Sequence, residues 1–424
     1  MIAMDSQYRV FSRYQQGSNH VKADKPCEDY ADSYQNEHMC ICVVADGHGS
    51  DNYPRTERGS HFAVRAAIDC VKEFLQQVSP EDILGRAQAE VMGQLERSIL
   101  NSWYTQVEDD IHGEALTDKE LDKVSDKYKM RYKDRDYLAK AYGTTLIVFA
   151  VTECFSFGLQ IGDGSCIVMD TNGNLSLPIP SDPDCQLNVT TSICDADASS
   201  EFRYYVVDRA PAAVFCGTDG VEDSYSSVEE LYDLYRSIIL MFSEKGFEEG
   251  SSEIAEYLPI LTRKGSGDDV SMAGIIQLDT IQKIRGKLQQ QTQLAKIARD
   301  LDEETNHLHI LQESYKKWMK RPIGDILPKL FQKYPSPEMD KLKEQKEKIE
   351  QCMKDIESLE REKITLEKAM NNADDIADVE GKIDNMEASS ENIEEVEKTD
   401  LENTSMQFVI DIEIVSKDDT KSEQ

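Results

Sequence analysis

Residues 40–50 read CICVVADGHGS. Six apolar or thiol side chains run unbroken into Asp46, and two glycines then bracket His48. Such a run, closed by Asp-Gly, reads as a buried strand that ends in a turn. A carboxylate at the end of a buried strand is costly unless a cation shares its site. The same pattern recurs along the chain. GTTLIVFAVT (143–152), FSFGLQIGDG (155–164), CIVMDTNGN (166–174), RYYVVDR (203–209), AVFCGTDG (213–220) and VSMAGIIQL (270–278) are further strand candidates with turn chemistry at their ends. Asp163 and Asp219 close two of them, and Asp268 and Asp269 open the last. Between the runs, 59–78 and 81–108 carry apolar residues at helical spacing, and 117–135 is more polar. Strands gathered around two long helices predict a layered, mixed α+β fold. One Asp-Gly is only a hairpin signal. Several such strand ends at one edge of a sandwich make an oxygen-only site suited to Mg2+ or Mn2+.

The blocks GSNHVKADKPCEDY, VVADGHGS, AYGTTL, LQIGDGS, FCGTDGVED and GSGDDVSMAGI follow one another between Gly17 and Ile276. In sequence and order they resemble the metal-dependent Ser/Thr protein phosphatases of type 2C, the PPM family. PCED followed by DGHGS looks like a bacterial branch of it. The resemblance implies a four-layer α/β/β/α sandwich, two antiparallel sheets flanked by helices, with metal ions at one end between the sheets. It implies two ions, Mn2+ or Mg2+, and a third, looser one. By position, Asp46 would bridge two ions, with the Gly47 carbonyl on one and Asp219 and Asp268 on the other. Glu28 and Asp29 would hold metal-bound waters. Asp163 and Asp223 match the third site, although structural hydrogen bonding explains these two equally well. Asp269 adjoins Asp268, so the register of that ligand turns on a single residue.

The chemistry implied is hydrolysis of phosphoserine and phosphothreonine by in-line attack of a metal-bridging hydroxide. His48, next to the leaving oxygen, would act as general acid, since imidazole titrates near neutrality. One departure stands out. Many relatives carry an arginine four residues before the Glu28 position, and here that residue is Asp24. Lys22, Lys25 or His20 would have to hold the substrate phosphate, and lysine is a point charge without arginine's bidentate fork. The rival reading is a catalytically weak phosphoprotein-binding scaffold, oligomerised by its C-terminal helices. The missing arginine favours the scaffold; Asp46, Asp219 and Asp268 favour the enzyme. Thr144 and Thr145 read as core-strand residues, and His112, His307 and His309 show no constellation.

The chain has 424 residues and a net charge of −34, from 81 acidic and 47 basic side chains. That charge argues against a nucleic-acid partner, and no run approaches the length of a membrane span. MIAMDSQYRVFSRYQQ lacks the apolar core of a secretion signal, so a cytoplasmic protein is expected. The ten cysteines form no CxxC pair and no zinc-finger spacing. Cys40, Cys42, Cys154 and Cys216 lie in apolar runs and read as small buried hydrophobes.

Composition changes near residue 279, which suggests a catalytic domain over 1–278. Over 279–370, Leu294, Ile297, Leu301, Leu308, Leu311, Tyr315 and Trp318 form one heptad-like seam, broken by Glu304. Leu342, Ile349, Cys352, Ile356, Leu359, Leu366 and Met370 form another. Four prolines in RPIGDILPKLFQKYPSP between them predict a helical hairpin. It could pack on its own catalytic domain or form a coiled-coil homodimer. Residues 371–424 hold 17 acidic and 4 basic side chains, a composition that predicts a largely disordered tail. Within it, QFVIDIEIV (407–415) alternates like a strand. The implied partners are phosphorylated proteins and a cognate Ser/Thr kinase.

Overall fold

The computed structural model describes residues 7–183, 185, 190–319 and 337–387. The chain divides into two compact units, the first ending at Arg285 and the second starting at Gly286. In the first unit the strands are β1 Tyr8–Gln15, β2 Tyr30–Gln35, β3 Met39–Ala45, β4 Leu146–Thr152, β5 Ser156–Ile161, β6 Ser165–Met169, β7 Leu175–Ser176, β8 Arg203–Val207, β9 Ala213–Gly217 and β10 Val270–Gln277. They form two five-stranded sheets, ordered β1-β10-β9-β6-β7 and β2-β3-β4-β5-β8, with every pairing antiparallel. Its longer helices are α1 Thr56–Gln77, α2 Gln88–Gly113, α3 Val228–Lys245 and α4 Phe247–Lys264, followed by the short α5 Leu278–Lys283. Helix α1 lies on β2, β3 and β4, and α2 packs against α1. On the other sheet, α4 packs on β1, while Tyr235 and Phe242 of α3 meet Phe215 and Phe11. The four layers are the α/β/β/α sandwich expected.

The unbroken apolar run of β3 follows from this layering. Ile41, Val43 and Ala45 enter the core beneath α1 and α2, and Cys40, Cys42 and Val44 enter the core between the sheets. A strand covered on both faces has no polar alternation. Strands β1 and β2 carried no such signal. YRVFSRYQ buries only Tyr8 and Phe11, yet it pairs with β10 over its whole length. Cys154 departs from expectation: it is exposed in the turn between β4 and β5. The helix expected over 81–108 is broken as well. A single turn, Pro80–Leu84, stops at Gly85 before α2 begins. A Cβ on Gly85 would stand 2.3 Å from the Glu81 carbonyl oxygen, so the close approach requires glycine.

In the second unit, α6 Arg285–Met319 and α7 Pro337–Glu387 run antiparallel. Gln293 bonds Glu362, Cys352 bonds Glu304, and Gln345 bonds Ser314, so positions rise on one helix as they fall on the other. The unit is therefore a helical hairpin. Helix α5, past the change in composition, belongs to the first unit, with Ile281 buried. Helix α7 continues to Glu387, into the segment whose composition predicts disorder. Residues 371–387 contain one glycine and no proline, which permits a continuous helix. The QFVIDIEIV segment lies outside the described residues. Among the described residues, no helix is long and apolar enough to cross a membrane.

Candidate metal centre

Antiparallel pairing brings the acidic strand ends to one edge. Tyr30 of β2 faces Ala45 of β3, so Glu28 and Asp29 precede one strand where Asp46 follows the other. Met272 of β10 faces Gly217 of β9, which sets Asp268 and Asp269 beside Asp219. Leu146 faces Ile161, which adds Asp163 beyond β5 and Thr144 and Thr145 before β4. Gly162 and Gly164 have φ of 91° and 85°, and these left-handed residues turn the chain through Asp163 from one sheet to the other.

One carboxylate oxygen from each of Asp46, Asp163 and Asp219 lies within 4.8 Å of the others. Burial and the neighbouring Asp219 and Asp29 raise Asp46 far above the usual carboxylate range. Burial raises Asp29, with Asp269 adding to the effect while a bond from Thr218 opposes it. Asp219 is pushed up to about 6 by burial, with Asp163, Asp268 and Asp223 adding, and Glu28 to about 7, again by burial. Asp163 is raised chiefly by burial. Crowded oxygen donors that resist ionisation alone fit hard divalent cations, whose charge would stabilise them.

The charges of Asp29, Asp223 and Asp268 act on Asp46 or Asp219, while Glu28 and Gly47 lie at the same edge of the sheet. The Asp29 carboxylate accepts a 2.7 Å bond from Thr218 Oγ1. The Asp223 amide bonds the Asp219 carbonyl, at the end of the single helical turn Asp219–Glu222. Gly47 pairs with Thr144 in an isolated bridge. Asp268 and Asp269 part company. The Asp268 side chain is 55% exposed and its charge acts on Asp219; Asp269 is 3% exposed and turns inward. Asp269 accepts from the amides of Gly17 and Glu28, both at 2.5 Å, and lies 2.9 Å from His20 Nδ1. Asp269→Ala, which strands two buried amides, is expected to destabilise the metal-free fold by roughly 2–4 kcal/mol. Asp268→Ala is expected to cost about 1 kcal/mol or less. Urea unfolding of both variants in chelator checks the contrast.

The basic candidates differ in placement. Lys25 Nζ donates to the Gly49 carbonyl at 2.5 Å, and its charge acts on Glu28. Lys22 is exposed and reaches Asn19. His20 Nε2 lies 3.5 Å from Asp268 and 3.8 Å from Glu28, and contact with Asp269 raises the ring to about 9. Asp24 has φ 53° and ψ 41°, a left-handed conformation that aspartate tolerates better than most residues.

The His48 ring stands edge-on to Tyr53, with centroids 4.7 Å apart, and its amide donates to the Gly143 carbonyl. Burial pushes the imidazole down to about 4, Asp195 opposing and Lys140 reinforcing the shift. Lys140 and Asp195 pair with each other.

Several positioning residues escaped sequence reasoning. The Thr145 amide and Thr144 Oγ1 both donate to the Asp46 carbonyl at 2.8 Å, and Thr145 Oγ1 accepts from the Asp46 amide. Thr56 Oγ1 bonds the Gly143 carbonyl and Ser60 Oγ the Glu28 carbonyl. Arg55, buried behind this loop, binds Glu120, Asp110 and the Tyr142 hydroxyl. Hydroxyls and a lone arginine carry no local pattern that marks them in advance.

Residues 16–259 match the family described as protein phosphatase 2C, and the chain belongs to that family. It is accordingly a metal-dependent protein serine/threonine phosphatase. Similar solved structures include the Mycobacterium tuberculosis serine/threonine phosphatase PstP/Ppp, at 14% identity and TM-score 0.39, over 64% of this chain and 98% of that one. PppA, a regulatory component of T6SS in Pseudomonas aeruginosa, gives 14% and 0.39 over 64% and 97%. A C. elegans sex-determining protein gives 17% and 0.41 over 66% and 67%. Among curated proteins no significant match is found.

Proposed function

We propose that Asp46, Asp163 and Asp219 form the heart of a site for two or three Mn2+ or Mg2+ ions, completed by Asp268, Asp223, the Gly47 carbonyl and, through water, Glu28 and Asp29. The observation that carries this reading is the convergence of three carboxylates whose burial penalises their charge. Bound there, divalent cations neutralise phosphoryl oxygens and acidify water, which makes a nucleophile available at neutral pH. The chain's own residues do the rest. Thr144 and Thr145 hold the Asp46 backbone, and Thr218 holds Asp29. Lys25, fixed to the loop that follows His48, replaces the family's arginine at the substrate phosphate. His48 protonates the departing seryl or threonyl oxygen. Its ring is neutral at rest, so the proton it passes on is first taken from solvent water as the phosphate dianion arrives and favours the charged ring.

The substrates are phosphorylated proteins and the supplier of phosphate a cognate Ser/Thr kinase. The first unit is the catalytic domain, and the helical hairpin is an accessory element through which two copies associate. Ten free cysteines suit a reducing compartment such as the cytoplasm. The test is a Mn2+-dependent assay on a phosphothreonine peptide with the full chain. Turnover that disappears in Asp219→Asn supports the reading; a parent protein inert with Mn2+ and Mg2+ alike overturns it.

The raised carboxylates also set a pH dependence. A folded-state pKa above the unfolded value means that the folded protein binds protons more tightly, so stability falls as pH rises. For Asp219 and Glu28 that loss occurs as pH climbs through about 6 to 7. Cations that hold the ionised carboxylates reverse it. The rise in melting temperature on adding Mn2+ is therefore expected to be larger at pH 8 than at pH 5. Thermal melts in chelator and in Mn2+ measure the difference, and an equal rise at both pH values contradicts it.

A further inference from the structure

The helical hairpin holds a second constellation, far in chemistry from the aspartate site. Two residues that sequence reading treated as defects or filler, Glu304 in one seam and Cys352 in the other, face each other. His307, which showed no constellation in the sequence, lies one turn from Glu304. Cys352 is 4% exposed, and its Sγ donates to the Glu304 carbonyl at 3.3 Å and to Glu304 Oε2 at 3.1 Å. His307 Nδ1 stands 3.8 Å from Glu304 Oε2. One donor atom from each residue lies within 4.8 Å of the other two.

We propose that Glu304, His307 and Cys352 bind a zinc-class divalent cation that clips α6 to α7. One sulfur, one imidazole nitrogen and one carboxylate oxygen are a donor set that Zn2+ takes readily and Mg2+ or Mn2+ does not. Zinc bonds of about 2.0–2.3 Å in a tetrahedron put the donor atoms roughly 3.3–3.6 Å apart. The Cys352–Glu304 contact of 3.1 Å and the Glu304–His307 contact of 3.8 Å lie just either side of that range, and the third pair lies within 4.8 Å. Glutamate and thiolate together balance the charge of the cation. Surrounding charge favours it too. Asp300, Glu303, Glu304 and Asp355 line an adjoining cavity of about 350 Å³.

The bland alternative is a buried thiol satisfied by its bonds to Glu304. Burial and the Glu304 carboxylate push that thiol up to about 11, so it keeps its proton while no cation is present. On binding, the Cys352 S–H proton leaves for solvent and the sulfur pair goes to the metal, with no change in oxidation state. The clip joins positions 304 and 352, which lie on different helices of the hairpin.

The test uses Co2+ as the zinc probe on the full chain, because cobalt bound to thiolate gives a sulfur-to-metal charge-transfer band and cobalt on aspartates alone does not. With excess Mg2+ present to occupy the aspartate site, the expected result is a near-ultraviolet band that corresponds to one cobalt per chain and is displaced by Zn2+. It persists in Asp46→Asn and vanishes in Cys352→Ser. His307→Ala, at an exposed position that folding does not require, is expected to weaken Co2+ binding by at least about tenfold. No band in the parent protein, or a band undiminished in Cys352→Ser, overturns the proposal. So does full affinity in His307→Ala.

Discussion

Asp46→Asn is expected to reduce Mn2+-dependent turnover of a phosphothreonine peptide by at least about a thousandfold, since metal stabilisation of a phosphoryl transition state is worth several kcal/mol and each ~1.4 kcal/mol is tenfold. Asp46 stands where three half-buried carboxylates meet, and its backbone amide and carbonyl are held by Thr144 and Thr145. The substitution changes one charge and little shape. Stability should move the other way. Burial and the charges of Asp219 and Asp29 disfavour the Asp46 carboxylate in the metal-free fold. Asparagine carries no charge to repel, so in chelator at pH 8 the variant is expected to melt no lower than the parent. Lost activity together with retained stability assigns the residue to cation binding. A variant that is inactive because it has unfolded would instead show a lower melting temperature in chelator, and that outcome contradicts the assignment.

His48→Ala carries the second large effect. General acid catalysis contributes roughly 10²–10⁴-fold, and it matters most where the leaving group is a poor one. Turnover of phosphoserine and phosphothreonine peptides should fall by about that factor. An aryl phosphate, whose phenolate leaves without a proton, should lose less than about tenfold. Equal losses on both substrates would point to a packing role, since the ring also fills the space between Tyr53 and Gly143. The comparison separates the roles because both substrates meet the same site in the same variant.

Much of this site was legible before any coordinates. Asp46, Asp163 and Asp219 each close an apolar run with glycine beside them, and a strand buried on both faces leaves an unmistakable block of hydrophobic letters. Strands β1 and β2 were not legible, because half-exposed strands with serine, arginine and glutamine carry neither strict alternation nor an apolar block. The break at Gly85 was missed for another reason: helical periodicity continues on both sides of it.

Neighbouring identical residues differ only in space. Asp268 and Asp269 are identical letters, yet one is solvent-exposed beside Asp219 and the other is buried against Gly17, Glu28 and His20. Likewise Lys22, Lys25 and His20 were equal candidates for the substrate phosphate. Among them, Lys25 is tied to the loop after His48.

By itself, then, the chain's sequence determined the layered fold, the hairpin and the aspartates at strand ends, because burial and turn formation are written in neighbouring residues. Tertiary structure alone decided which carboxylates converge, which hydroxyls clamp them, and that Glu304, His307 and Cys352 meet. Those contacts join residues tens to hundreds of positions apart, and only antiparallel pairing of strands and helices brings them within reach.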